Sequence, residues 1–114
     1  MLAPTAKPKR AKNKMELKEI IQKASDSKHL YGEYEKNRFG KSWNSEETYI
    51  SLVSDIGDLG RVVLTEMPGS EQHLRRELAE CLWGICVLAK NYDIDLESAF
   101  IEELKNIENR IQGS

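Results

Sequence analysis

Leu74-Arg75-Arg76-Glu77-Leu78-Ala79-Glu80-Cys81-Leu82-Trp83-Gly84-Ile85-Cys86-Val87-Leu88-Ala89 is the stretch on which the fold turns. Leu74, Leu78, Cys81, Leu82, Ile85, Leu88 and Ala89 recur at the spacing that lines one face of an α-helix, a stripe centred on Ile85. No polar side chain interrupts Cys81 to Ala89, and Trp83 and Val87 fall opposite Ile85. That run is about half of the roughly 20 residues a bilayer helix needs, so it belongs to a core or an interface and excludes a membrane span. One neighbour cannot cover such a helix. In a chain this small, the face around Trp83 and Val87 predicts burial against a second copy.

Working outward, the periodicity stays helical from Met15 onward, with no run of alternating β-branched residues. Met15, Leu17, Ile20, Ile21 and Ala24 mark a first helix ending near Ser25-Asp26-Ser27. Residues 28–42 mix aromatics and cations around Gly32 and Gly40 and read as a loop or a short irregular helix. Asn44 and Glu47 form a capping-box pair that opens a second helix running to about Glu66, stopped by Met67-Pro68-Gly69. Ser70 caps the third helix, which lasts to about Asn91, and Asp95 caps a fourth that reaches Ile111. Short connections predict antiparallel packing of helices two, three and four. The expected class is all-α: an antiparallel helical bundle whose four-helix core is completed by a homodimer or homotetramer.

On the second helix Tyr49, Leu52, Val53, Ile56, Gly60, Val63 and Met67 form an apolar stripe centred on Ile56. Asp55 and Asp58 sit about 100° and 160° to one side of that centre. On the third helix Glu77 and Glu80 sit about 80° and 140° from Ile85, again to one side. Two acidic pairs thus ride on matching shoulders and could meet between antiparallel neighbours. Carboxylates brought to ~4 Å repel by on the order of 1–4 kcal/mol per pair, a cost that a cation removes. All-oxygen ligation without cysteine or clustered histidine points to a hard ion, Mg²⁺ or Mn²⁺. The bland alternative is a pair of solvated faces in a chain with 19 acidic residues.

The chain has 114 residues, enough for one domain, with 39% hydrophobic and 32% charged residues. That composition excludes wholesale disorder and collagen-like repeats. Its net charge of −2 conceals a division. Residues 1–14 carry five basic groups and no acid, leaving twelve of the 17 basic residues to face all 19 acidic ones over 15–114, a body charge of −7. The tail, with Pro4 and Pro8 and little to bury, reads as disordered, and residues 15–114 as the domain. An acidic body speaks against nucleic acid as the partner. The tail lacks the apolar core of a secretory signal, which leaves a cytoplasmic location by default. Cys81 and Cys86 point about 140° apart on a helix, so they cannot bond to each other and suit a reducing compartment.

In this order the motifs resemble the MazG-like nucleotide pyrophosphohydrolases of the all-α NTP pyrophosphatase superfamily. That family carries EExxE on one helix and ExxD on the next. Here the positions read Ser54-Asp55-Ile56-Gly57-Asp58 and Glu77-Leu78-Ala79-Glu80, eighteen residues apart. Trp43 through Leu52 resembles its WDxEQTHxSL signature, and Asp93 through Phe100 its "gidleeAf" entry to the last helix. Lys105, Asn109 and Arg110 are similar to its closing K-x-x-x-N-R pattern. The resemblance covers about residues 43–111. Ser54 departs from the first glutamate, Asp55 and Asp58 are a carbon shorter than the family's residues, and Glu80 is longer.

The resemblance implies hydrolysis of a nucleoside triphosphate to monophosphate and pyrophosphate with Mg²⁺, or Mn²⁺. Asp55, Asp58, Glu77 and Glu80 would be the metal ligands, with Glu77 or Glu80 doubling as the base that orients water. Lys105, Asn109 and Arg110 would contact the substrate, Lys105 and Arg110 through its phosphates, the alternative being an exposed helix end; Arg38 and Trp43 belong to the aromatic and basic stretch that would hold the base or else plug the end of the bundle. Two alternatives stand beside this: a phosphoribosyl-ATP pyrophosphohydrolase, and a helical module that kept the fold for oligomerisation or nucleotide sensing without catalysis.

Overall fold

The computed structural model describes residues 14–41, 44–65 and 70–113. They form four helices: α1 (Leu17–Phe39), α2 (Ser45–Thr65), α3 (Ser70–Asn91) and α4 (Leu96–Gln112). The described residues contain no strand, and none of their helices is long and apolar enough to cross a membrane. The basic tail through Asn13, Trp43 and the Met67-Pro68-Gly69 stop lie outside them.

Two of the three caps read from the sequence form as expected. Asn44 Oδ1 accepts the Glu47 N–H at 2.9 Å and Glu47 Oε1 accepts the Asn44 N–H at 3.2 Å, the reciprocal pair that satisfies two orphan donors of a first turn. Asp95 accepts from both the amide and the hydroxyl of Ser98. Ser70, expected as a cap, is itself the first residue of α3.

The first helix differs from its sequence reading. It does not end at Ser25-Asp26-Ser27 but continues through the expected loop to Phe39, where Gly40 closes it at φ 85° with its N–H on Lys36 O. The cause is tertiary. The Ser27 hydroxyl donates to Ala24 O and accepts the Trp83 Nε1–H at 2.8 Å, so a side chain that ordinarily competes with helix is used to join two helices. Residues 28–39 contain no proline, and a single glycine costs a helix only about 1 kcal/mol.

α3 is central. It runs antiparallel to α2, with Asn91 Nδ2 donating to Ser45 Oγ at one end and Leu52 lying over Gly84 in the middle. On its other side α1 covers Cys86 and Trp83 with Ile21, Ala24 and Leu17. The face expected to need a second copy is therefore covered within the chain. The stripes centred on Ile56 and Ile85, in contrast, stay open at 50% and 40% exposure. Helices α2 and α3 meet instead through Thr48, Leu52 and Val62 against Glu77, Cys81 and Gly84, a contact rotated by roughly 70–80° towards the acidic shoulders. Gly84 explains the rotation, since the missing side chain lets Leu52 settle against the α3 backbone. α4 makes only marginal contact with the other helices, its Leu96 seated on the Ile21, Ala24 and Cys86 cluster. Within one chain the bundle is thus three helices with a fourth standing off.

Candidate functional site

The rotation that opens the Ile56 and Ile85 stripes turns the acidic shoulders towards each other. Asp55, Glu77 and Glu80 each bring a carboxylate oxygen within 4.8 Å of the others. Their burial is graded: Glu77 is 4% exposed, Asp55 half-buried and Glu80 at the surface. Burial, followed by the charge of Glu77, pushes the Asp55 carboxyl above its ordinary pKa. Burial also pushes up the Cys81 thiol, reinforced by Asp55, Glu77 and Glu80.

Asp58, the fourth expected ligand, stands outside the trio. It lies about 60° further from the α3 contact than Asp55 and holds Arg61 one turn along its own helix.

Glu77 is divided between two surroundings. Its Oε1 faces the His73 imidazole, with Nε2 at 3.1 Å, and the Arg76 guanidinium, with Nη2 at 3.9 Å. Its Oε2 is buried and has no hydrogen-bond partner among the described residues, a state that costs about 1–3 kcal/mol for a neutral group and more for a charged one. An orphaned carboxylate oxygen among two further carboxylates is the donor set that a hard divalent ion takes, and the residues present fit such an ion.

Against this cluster lies a pocket of about 400 Å³ between α1, α2 and α3. Asp55 and Glu80 form part of its wall, and Ser27, Lys28, Tyr31, Glu35, Thr48, Ser51 and Trp83 complete it. Tyr31 meets Trp83 edge-on at 6.4 Å and Tyr34 at 5.4 Å. Two buried polar groups belong to the wall: Glu35, 1% exposed and ion-paired to Lys28 at 2.6 Å, and Thr48, 2% exposed, whose Oγ1 has no partner.

The substrate contacts expected from the sequence fall elsewhere. Lys105, Asn109 and Arg110 are exposed on α4, and Arg110 pairs with Glu103 at 3.2 Å. Lys105 and Asn109 also point about 130° and 170° away from the α4 apolar stripe. Arg38 lies over the Phe39 ring at the end of α1 and lines no part of the pocket, and Trp43 is not among the described residues. Lys28 and Tyr31 fall in the stretch expected to be a loop or a short irregular helix, and Glu35 and Thr48 carry no role expected from the sequence. Had α1 been drawn through, Lys28 and Glu35 would have fallen two turns apart on one face, the signal that was available.

Comparison with protein-family models, with curated proteins and with solved structures gives no match. The chemistry therefore rests on the trio and its pocket.

Proposed function

We propose that the protein is a Mg²⁺- or Mn²⁺-dependent nucleoside triphosphate pyrophosphohydrolase that converts an NTP or dNTP and water to the monophosphate and pyrophosphate. The observation that carries this reading is a trio of converging carboxylates, Asp55, Glu77 and Glu80, in which Glu77 Oε2 is buried with no hydrogen-bond partner among the described residues and Asp55 and Glu80 line a pocket large enough for a nucleoside. Asp55, Glu77 and Glu80 would hold the ion. When bound, a divalent cation supplies neutralisation of phosphate charge and a more acidic water. Glu80, the most exposed of the three, would accept the proton of an attacking water, while Glu77, bonded to His73, would act as a ligand. Tyr31 and Trp83 offer apolar ring surface to a base.

The same reading includes a homodimer. Ile56, Val53, Tyr49, Leu78, Leu82 and Ile85 leave the side of the α2–α3 pair away from the acids apolar and 40–58% exposed. With the Phe100, Leu104 and Ile107 stripe of α4, the open apolar area is on the order of 800 Å² per copy, about what each partner contributes to a standard interface. A second copy on the α2–α3 face would complete a four-helix core.

The test is incubation of the intact protein with a panel of ribo- and deoxyribonucleoside triphosphates and Mg²⁺ or Mn²⁺, with pyrophosphate and monophosphate measured by ³¹P NMR. Stoichiometric release that ceases with EDTA and in Glu80→Gln is expected. No release from any nucleotide with either ion would overturn the enzymatic reading and leave a helical interaction module.

A further inference from the structure

We propose that Lys28 is the phosphate contact of this site and that Glu35 is the residue that positions it, an inference that rests on the triphosphate reading above. Lys28 and Glu35 are seven residues apart on α1, so their Cα atoms stand about 10.5 Å apart along the axis on nearly the same face. For Nζ to reach Oε1 at 2.6 Å, the lysine stem must run along the helix beneath the pocket instead of out into water. The side chains are 13% and 1% exposed. A buried ion pair is a poor device for stability, because desolvating both groups offsets most of their attraction. It is a good device for holding a lysine side chain in one place.

Charge balance gives that placement a use. Asp55 and Glu80 line the pocket and Glu77 completes their trio, and a divalent ion among the three would leave the site negative. A triphosphate brings about four more negative charges and needs a cation on its far side. Among the described residues that line the pocket, Lys28 is the one cation. Glu35 takes one of its three donors, which leaves two for phosphate oxygens. Thr48 Oγ1, buried in the same wall and without a partner, adds a neutral donor beside it. Lys105 and Arg110, the cations suggested by the sequence, sit on a helix that barely touches this body.

The experiment separates phosphate from base. Binding of inorganic tripolyphosphate with Mg²⁺, and of the nucleoside of the best substrate, is measured by calorimetry on the intact protein and on Lys28→Met, Lys28→Arg and Glu35→Gln. Lys28→Met should weaken tripolyphosphate about tenfold or more, the scale of one lost charge-assisted hydrogen bond, and leave the nucleoside unchanged. Lys28→Arg should restore most of the loss, and Glu35→Gln should raise KM more than it lowers kcat. Unchanged tripolyphosphate binding in Lys28→Met, or an equal loss for both ligands, overturns the role. Because Lys28→Met takes the cation away from buried Glu35, the double variant Lys28→Met/Glu35→Met, which removes both charges, carries the same comparison if the single one does not fold. Turnover by the wild type with no change in Lys28→Met sinks this inference alone, whereas absence of turnover in the wild type sinks the reading beneath it.

Discussion

Leu52 lies against the backbone of α3 at Gly84, where a Cβ would stand 3.3 Å from Leu52 Cδ1 and 3.4 Å from its Cβ. This contact sets the separation of α2 and α3, and Asp55 and Cys81 lie one turn from it. Gly84→Val should destabilise the fold by about 1–3 kcal/mol through overpacking. It should weaken Mn²⁺ binding as the carboxylates separate. Leu52→Ala should cost about 2–5 kcal/mol. Urea denaturation of the two variants and of their double tests the coupling: if Leu52 and Gly84 act as one joint, their effects will not add.

The trio and the fourth carboxylate should part company on metal titration. Glu77→Gln is expected to abolish Mn²⁺ binding read by electron paramagnetic resonance. Asp58→Asn, which loosens only the pairing with Arg61 on α2, should leave the affinity within about twofold, because exposed pairs contribute little. Equal losses in both would return Asp58 to the ligand set.

Stability without metal should depend on pH through Asp55. A carboxyl raised in the folded state binds its proton more tightly there than in the unfolded chain. Its contribution is therefore fully present below the unfolded value of about 3.9 and is lost as pH rises through the raised folded value. Asp55→Asn, which does not ionise, should gain on the wild type as pH rises from 4 to 7 in EDTA. A guanidinium midpoint series checks this, and Mg²⁺ should close the gap by stabilising only the wild type.

The apolar side of α2–α3 should govern assembly. Light scattering of the wild type is expected to give twice the chain mass of 13.1 kDa, and Ile56→Asp with Leu82→Asp the single mass. A wild type that stays at single mass at high protein concentration would rule out the homodimer.

Local chemistry was the legible part of this chain. The Asn44–Glu47 box and the Asp95 cap are closed within four residues, so the sequence contains everything they need. The wheel also placed Asp55, Glu77 and Glu80 on facing shoulders, because angle around a helix follows from residue spacing. Which of Asp55 and Asp58 meets α3 depends on the rotation between two helices, and that rotation hangs on one glycine some thirty residues away in the chain. Residues 28–39 were illegible for the same reason. Gly32 and the Ser25-Asp26-Ser27 cluster are breakers in isolation, and they are overruled by Trp83, fifty-six residues from Ser27, through a single hydrogen bond. With α1 read as broken, Lys28 and Glu35 could not be seen as neighbours, and the cation for the pocket was sought on α4.

The two sides of the α2–α3 pair have a kinetic corollary. The carboxylates and the pocket open on one side, and the bare apolar surface lies on the other. A copy docked there is separated from either trio by a helix layer about 8–10 Å deep, so two back-to-back sites would look outward in opposite directions. Neither would borrow a side chain from the other across that layer. Two such centres would fill independently, and substrate saturation would follow a simple hyperbola with a Hill coefficient of about one, even though the protomers of such a dimer would depend on each other to keep their cores dry.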